Sequence, residues 1–454
     1  MEAGAFCRPS LAFRFLAAVL PANHSGARSM HLILINQYYP PDGAPTGLML
    51  EAVAGELAAL GHEVTILCSA GGYSATASAI AGGTTGDAEN GRDPSRIRVI
   101  RCRSTRFGRG SFIGKLADYA SFYLGVAWQL LTSSPRPDRV VALTTPPYLS
   151  VLARLLGKLR GADHAHWVMD LYPDVMCAHG MLREGGAGHR LLAALTRIGF
   201  GGSRRAAVVT LGPDMAGRVA RHLDGGTADW VPLWDTEAPV RPAGSDSRDE
   251  PDPAARELRR ERNWGDEQVV LMYSGNMGLG HRFGEFLAAA SRHAGNPATR
   301  FAFFGDGKRR PEIEAFSRDH PSARLELHDP VPRTRLAAHL RSADVHLASL
   351  EPSWDGTMVP SKLQGIFAAG RPVIFIGSRT SSIGRWIEES EGGWVVGPED
   401  PAALDAAIRA AGDPNERQRR ASAAKRFAAG HFDGLRNARQ TAELLARNPR
   451  LADP

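Results

Sequence analysis

Lys362 sits in a stretch, Val359-Pro-Ser-Lys-Leu-Gln-Gly-Ile-Phe-Ala-Ala-Gly370, whose residue types suit an anionic ligand. Proline tolerates the first turn of a helix, where its missing N–H costs nothing, so Pro360 and Ser361 mark a helix start. The unpaired N–H groups of that turn, the Ser361 hydroxyl and the Lys362 ammonium converge at one helix end, which suits a phosphate-bearing ligand. Three further stretches place similar groups after predicted strands. Gln37-Tyr-Tyr-Pro-Pro-Asp-Gly-Ala-Pro-Thr-Gly47 offers Gly43 and Ala44, small enough for close backbone approach ahead of a helix; its alternative is a structural Pro/Gly loop. In Tyr273-Ser-Gly-Asn-Met-Gly-Leu-Gly-His-Arg282, Gly275, Gly278 and Gly280 keep the backbone accessible. Asn276 can donate and accept there, and Arg282 can add a charge toward phosphate. Phe303-Phe-Gly-Asp-Gly-Lys-Arg-Arg310 supplies Lys308 as a phosphate contact, with Asp306 fixing the turn.

A carboxylate faces these cations from elsewhere in the chain. In His164-Ala-His-Trp-Val-Met-Asp-Leu-Tyr-Pro-Asp174, Asp170 ends a strand, where its side chain can contact a substrate or exchange a proton. The alternative is the N-cap of a following helix. His164 and His166 share one strand face, but no further ligand stands in fixed relation to them, so no metal site is expected. Cys7, Cys68, Cys102 and Cys177 form no close pair, which leaves little support for metal ligation or a disulfide framework. The chain shows neither a serine nucleophile elbow nor a triphosphatase loop, and it lacks the dinucleotide fingerprint of a dehydrogenase.

The elements that must hold these residues alternate. Strands are predicted over 31–36, 61–67, 96–101, 140–143, 165–169 and 206–210, with helices over 47–60, 107–131, 149–159 and 191–199. Residues 70–95 read as an irregular excursion and 236–262 as a polar junction containing a helical piece. A second series follows, with strands at 269–273, 301–304, 323–327, 345–347 and 373–376 and helices at 283–291, 311–316 and 336–340. Residues 401–445 are predominantly helical. Short apolar strands joined by helices form parallel sheets covered on both faces. Two such sheets leave a cleft between the carboxyl ends of their strands, where ligands bind.

At 454 residues the chain exceeds one ordinary core, and 43% hydrophobic with 22% charged residues is a globular composition. Its charge of +6, from 54 basic and 48 acidic residues, does not mark a nucleic-acid binder but is compatible with anionic small ligands or an anionic membrane surface. No apolar run approaches the roughly 20 residues that span a bilayer. Residues 11–20 are signal-like but interrupted by Arg14, so residues 1–29 read as an extension and the fold as starting at Met30.

Taken in order, several motifs resemble the GT-B glycosyltransferases of family 4. They are Asn36-Gln-Tyr-Tyr-Pro-Pro-Asp-Gly-Ala44, Leu60-Gly-His-Glu-Val-Thr65, Thr145-Pro-Pro147, Asp170-Leu-Tyr-Pro-Asp174, Ser274-Gly-Asn-Met-Gly278, Gly305-Asp-Gly307 and Val359-Pro-Ser-Lys-Leu363. The subgroup they resemble builds capsular, colanic-acid-like or O-antigen polysaccharides in bacteria. The resemblance implies an α/β, GT-B architecture of two Rossmann-like domains facing a central cleft. Residues 30–235 would form the acceptor side and 263–417 the nucleotide-sugar side, with helices in 418–454 crossing back to the first domain. It also implies anomeric retention, no metal and no cofactor, the nucleotide-sugar being a substrate and UDP its expected base carrier.

By that resemblance Asp170, Lys308 and Lys362 are the candidate catalytic residues, the lysines neutralising the departing diphosphate. Gly43, Ala44, Asn276, Gly278, Arg282, Thr357, Pro360 and Ser361 form the candidate donor-binding set. One departure stands out. Many relatives carry two glutamates eight positions apart, and counting back from Gly370 puts Thr357 and Gly365 there. Relatives with the Pro-Ser-Lys-Leu form also vary at these positions. The expected partners are the donor and a glycan or polyprenyl-diphosphate-linked acceptor. The expected place is the cytoplasm, with peripheral contact to the inner membrane through residues 107–131 as one reading of that segment; the other is a domain-covering helix whose aromatics pack inward. The competing readings are a noncatalytic nucleotide-sugar-binding regulator, which Thr357 and Gly365 favour, and a nucleotide-sugar epimerase, which should show more cleft carboxylates.

Overall fold

A computed structural model describes residues 28–70, 94–105, 107, 112–201, 206–234 and 252–447. The extension before residue 28, most of the 70–95 excursion and most of the junction (235–251) lie outside the described residues. The first half runs β1 (His31–Ile35), α1 (Pro45–Ala59), β2 (Glu63–Ser69), β3 (Ile97–Cys102), α2 (Phe112–Thr132), β4 (Arg139–Ala142), α3 (Leu149–Leu159) and β5 (Asp163–Trp167). It continues through α4 (Asp174–Ala178), α5 (Ala187–Phe200), β6 (Ala207–Thr210), α6 (Pro213–Ala220) and β7 (Asp229–Trp230). Its parallel sheet has the order β3-β2-β1-β4-β5-β6-β7.

The second half begins α7 (Pro253–Glu261), β8 (Val269–Ser274), α8 (Gly284–Arg292), β9 (Thr299–Phe304), α9 (Arg310–Asp319), β10 (Glu326–His328) and α10 (Arg333–Ser342). It ends β11 (Val345–Ser349), α11 (Lys362–Ala368), β12 (Val373–Ile376), α12 (Ser382–Ser390), β13 (Gly393–Val396), α13 (Pro401–Gly412), α14 (Pro414–His431) and α15 (Gly434–Ala446). Its order, β10-β9-β8-β11-β12-β13, repeats the doubly wound pattern of the first sheet.

The strands form because their apolar residues are buried on both faces. Leu32 and Leu34 pack with Leu50, Val53 and Leu57 of α1, while Ile33 and Ile35 face Phe122 and Val126 of α2. Alternating side chains thus feed two layers. Each fully buried Leu or Ile contributes about 1.5–3 kcal/mol. The third strand of the second sheet differs from expectation. Pro321–Ala323 wind into a 3-10 turn, which delays β10 to Glu326. The helical piece of the junction, α7, packs on α10, where Arg259 donates to the Ser342 carbonyl at 3.0 Å and to Asp344 at 2.9 Å.

The last two helices divide between the sheets. α14 packs on α11 and α12, and α15 packs on α1 and β6, so the chain crosses over between His431 and Gly434. Arg139, almost fully buried in β4, donates to the carbonyls of Leu445 at 2.6 Å and Arg447 at 2.8 Å. A guanidinium there satisfies carbonyls that a helix end leaves unpaired. The halves also meet directly. Asp170 bridges Met358 in antiparallel fashion, the Leu171 N–H donates to the Thr357 carbonyl at 2.8 Å, and the Asp214 carboxylate accepts the Ser382 N–H at 2.9 Å.

Candidate active site

The loops after β8 and β9 form one wall, and their glycines are there because two backbones touch. A Cβ on Gly305 would stand 2.0 Å from the Gly275 carbonyl oxygen, and both residues hold positive φ, 144° and 132°. Backbone bonds lock the loops together: Gly275 N–H to Phe304 O at 2.9 Å, Met277 N–H to Asp306 O at 2.8 Å and Arg309 N–H to Met277 O at 3.0 Å. The Asp306 carboxylate accepts from the Gly307 N–H at 2.7 Å, closing the turn that presents Lys308. Lys308 is exposed and has no partner among the described residues.

Lys362 reaches the same wall from the first turn of α11. Its side chain passes over Gly275, and its Nζ lies 5.1 Å from the Tyr273 ring centre, 2.8 Å from His281 Nε2 and 3.4 Å from the Asn276 carbonyl. No carboxylate pairs with it among the described residues, and burial pulls its pKa down from 10.5 to about 7. Ser361 is the N-cap of α11, and its exposed hydroxyl makes no capping bond. Pro360 precedes it, half-buried.

Across the cleft, Asp170 follows β5. Its N–H and that of Met169 both reach Thr144 Oγ1 at 3.1 Å, and its carboxylate accepts no hydrogen bond among the described residues. Burial raises the carboxyl pKa from 3.8 to about 6. The N-cap alternative falls, because α4 starts at Asp174 after Pro173. Gly43 and the buried Ala44 lead into the N-terminus of α1, which has no side-chain cap. Arg333 Nη1 of the second half lies 3.1 Å from where a Cβ on Gly43 would stand.

Two expected donor contacts are placed otherwise. Thr357 is fully buried, and its hydroxyl donates to the Trp354 carbonyl at 2.8 Å, so the side chain turns into its own loop rather than the cleft. Arg282 is already matched by Glu285 at 2.5 Å and Glu351 at 2.8 Å. Among the described residues, the cations of this wall without a carboxylate partner are therefore Lys308 and Lys362. Asn276 and Gly278 stay at its surface, where the Asn276 carbonyl accepts from the Tyr273 hydroxyl at 2.7 Å.

Sequence reasoning missed His179, Trp354 and His281. His179 ends α4 and meets the Trp354 ring edge-on at 4.5 Å, closing the cleft from the first half. Burial and then Lys308 hold its pKa below the usual histidine range. Among the described residues no group of His, Cys, Asp and Glu could hold a metal ion.

The two halves match two family descriptions. The Glycosyl transferase 4-like domain covers residues 46–234, and the Glycosyl transferases group 1 domain covers residues 268–412. The chain belongs to the glycosyltransferases that pair these domains. Over 277 residues this glycosyltransferase is 27% identical to WbjE of Pseudomonas aeruginosa, named as a glycosyltransferase; the alignment covers 61% of this chain and 66% of that one. Over 391 residues it is 25% identical to WcaI of Escherichia coli (strain K12), whose name assigns it to colanic acid biosynthesis, with 84% and 92% covered. Among solved structures, Anabaena HepE in complex with UDP superposes with a TM-score of 0.63 at 12% identity, over 92% of this chain and 100% of that one. WaaG, involved in lipopolysaccharide biosynthesis, gives 0.58 at 18%, over 92% and 99%. These likenesses establish the GT-B fold. The glycosyltransferase moves a sugar from a nucleotide-sugar; Lys308 and Lys362 belong to its second half, and Asp170 of the first half joins that half through the backbone bridge to Met358.

Proposed function

We propose that the enzyme transfers a sugar with retention from a UDP-linked donor to a growing glycan or a polyprenyl-diphosphate-linked acceptor in cell-surface polysaccharide biosynthesis. The observation that carries this reading is the pair of unmatched cations, Lys308 and Lys362, on the wall opposite Asp170. Residues 30–235 serve the acceptor and 263–417 the donor, with the 418–454 segment tying the two together. The diphosphate lies against Lys308, Lys362, Ser361 and the backbone at Gly43 and Ala44, and Asn276 and Gly278 border the nucleotide. As the glycosidic bond breaks, negative charge grows on the leaving diphosphate. Preorganised cations in a site that excludes water stabilise that charge more than the ground state. Asp170 orients the acceptor hydroxyl, whose proton passes to the departing phosphate on the same face of the sugar. HepE, solved with UDP and with UDP-glucose, supports the choice of base. A thermal-shift panel of nucleoside diphosphates tests it. UDP at about 100 times its Kd should add about 2.7 kcal/mol of stability, more than GDP or ADP at equal concentration. A panel in which no nucleotide raises the melting temperature would sink the reading.

A membrane-borne acceptor is favoured by the outer face of the first half. Ile113, Leu124 and Trp128 of α2 are 77%, 73% and 67% exposed, and Leu159 of the adjoining α3 is 74% exposed. α3 and α5 carry Arg154, Lys158, Arg190 and Arg197 and no acidic residue. Exposed apolar side chains on a face whose α3 and α5 carry only cations match an anionic lipid surface. No helix among the described residues is long and apolar enough to cross a membrane. The reading places the enzyme peripherally on the cytoplasmic face of the inner membrane. Phosphatidylglycerol vesicles should co-sediment the protein at low salt and release it as salt screens the charges, and the L124D/W128D variant should stay in the supernatant. Equal recovery of wild type in the soluble fraction with and without vesicles would remove the interfacial model.

A further inference from the structure

His281 is buried in the loop after β8, and both ring nitrogens are engaged. Its Nδ1 lies 2.6 Å from the Ser349 carbonyl, which can only accept, so Nδ1 carries the hydrogen. The ring is neutral, because burial, then Lys362, and further Arg309 push its pKa down to about 3. Nε2 therefore presents a lone pair, and the Lys362 ammonium 2.8 Å away donates to it. We propose that His281 is the positioning residue of Lys362, its Nε2 lone pair holding the ammonium as a charged donor aimed at the diphosphate. The proposal rests on the nucleotide-sugar reading only for the identity of the anion.

The surroundings explain why the partner is an imidazole. Tyr273 lies beneath the ammonium, and its hydroxyl fixes the Asn276 carbonyl that Lys362 also reaches. Arg309, from the loop after β9, donates to the His281 carbonyl and adds a second positive charge nearby. A carboxylate at position 281 would orient Lys362 too, but would cancel its charge before the diphosphate arrived. A neutral acceptor orients the ammonium and leaves its charge whole. An ammonium has three N–H groups; with His281 and Asn276 accepting, one is left for a phosphate oxygen.

Two amides separate the roles of the two nitrogens. Asparagine (H281N) can replace Nδ1 toward Ser349 but is too short to replace Nε2. Glutamine (H281Q) reaches Lys362 in place of Nε2. Amine reactivity of Lys362, followed by trace acetylation and mass spectrometry across pH without any ligand, reads its titration midpoint. A charge-assisted hydrogen bond is worth enough that H281N should lower the midpoint by about one pH unit or more, while H281Q stays near wild type. A midpoint unmoved in a cooperatively melting H281N protein, or H281Q falling as far as H281N, would overturn the proposal. Protection of Lys362 from acetylation by UDP is a separate arm. Its absence alongside an intact H281N shift would remove the donor reading and leave the positioning role standing.

Discussion

Replacing Lys362 by methionine (K362M) is expected to lower kcat/KM for sugar transfer by about 10²–10³-fold, the usual cost of removing one preorganised donor from developing charge. Methionine keeps the length and apolar stem of the side chain and discards only the ammonium. The fold should survive, because the native state disfavours that charge: burial brings the pKa from 10.5 to about 7. The sign follows. Below pH 7 both folded and unfolded chains hold the proton, and the folded state carries the full cost of burying it. Between about 7 and 10.5 the folded chain releases it first, so wild-type stability from this group rises with pH across that window. K362M should flatten that slope and melt no lower than wild type at pH 6. Because the diphosphate needs the ammonium, wild-type kcat/KM should fall as pH rises through about 7. Steady-state kinetics with donor varied at several pH values checks all of this. Wild-type kcat/KM in K362M would refute the charge assignment.

The D170N substitution should act on the opposite limb. Burial raises the Asp170 carboxyl to about 6, so the ionised form needed to accept from the sugar-acceptor hydroxyl is lost as pH falls through that value. Losing the group that orients the acceptor hydroxyl should cost about 10²-fold in kcat. D170N keeps the shape and should keep UDP binding, because the diphosphate cations stand on the other sheet. Together the two groups predict a narrow optimum, bounded near pH 6 by Asp170 and near pH 7 by Lys362. An acid limb unchanged in D170N would show that another group sets it.

How far the sequence carried depended on whether a signal was local. β1 could be read directly, since Leu32 to Ile35 are consecutive apolar residues buried to the last atom. The loops with Gly275 and Gly305 announced themselves by composition, although the reason for the glycines, a contact between two distant loops, was not visible. β13, only four residues behind a Glu-Gly-Gly turn, was missed, as were two-residue β7 and the helices α6 and α12. The site was legible in its charges but not in their pairing. Arg282 and Lys362 are both cations beside glycine loops, and only tertiary structure shows the first held by carboxylates and the second by a neutral ring. His281 gave no signal because its role depends on Ser349 and Lys362, each far along the chain. Thr357 drew attention through a counting rule, but its side chain is committed to its own turn.

The short backbone bridge beside the chemistry has a mechanical consequence. Asp170 and Leu171 are tied to Met358 and Thr357, and Asp214 is tied to Ser382 on the β12 side of that point. Any rotation of one half against the other that keeps these bonds pivots through them. Asp170 and the loop leading to Lys362 then sit on the fulcrum and change separation least. The contact of Arg333 with the Gly43 loop lies toward β10, at the far edge of the second sheet, and is at the end of the lever. The cleft would open like a book at its free edge, with the reacting groups bound into the spine.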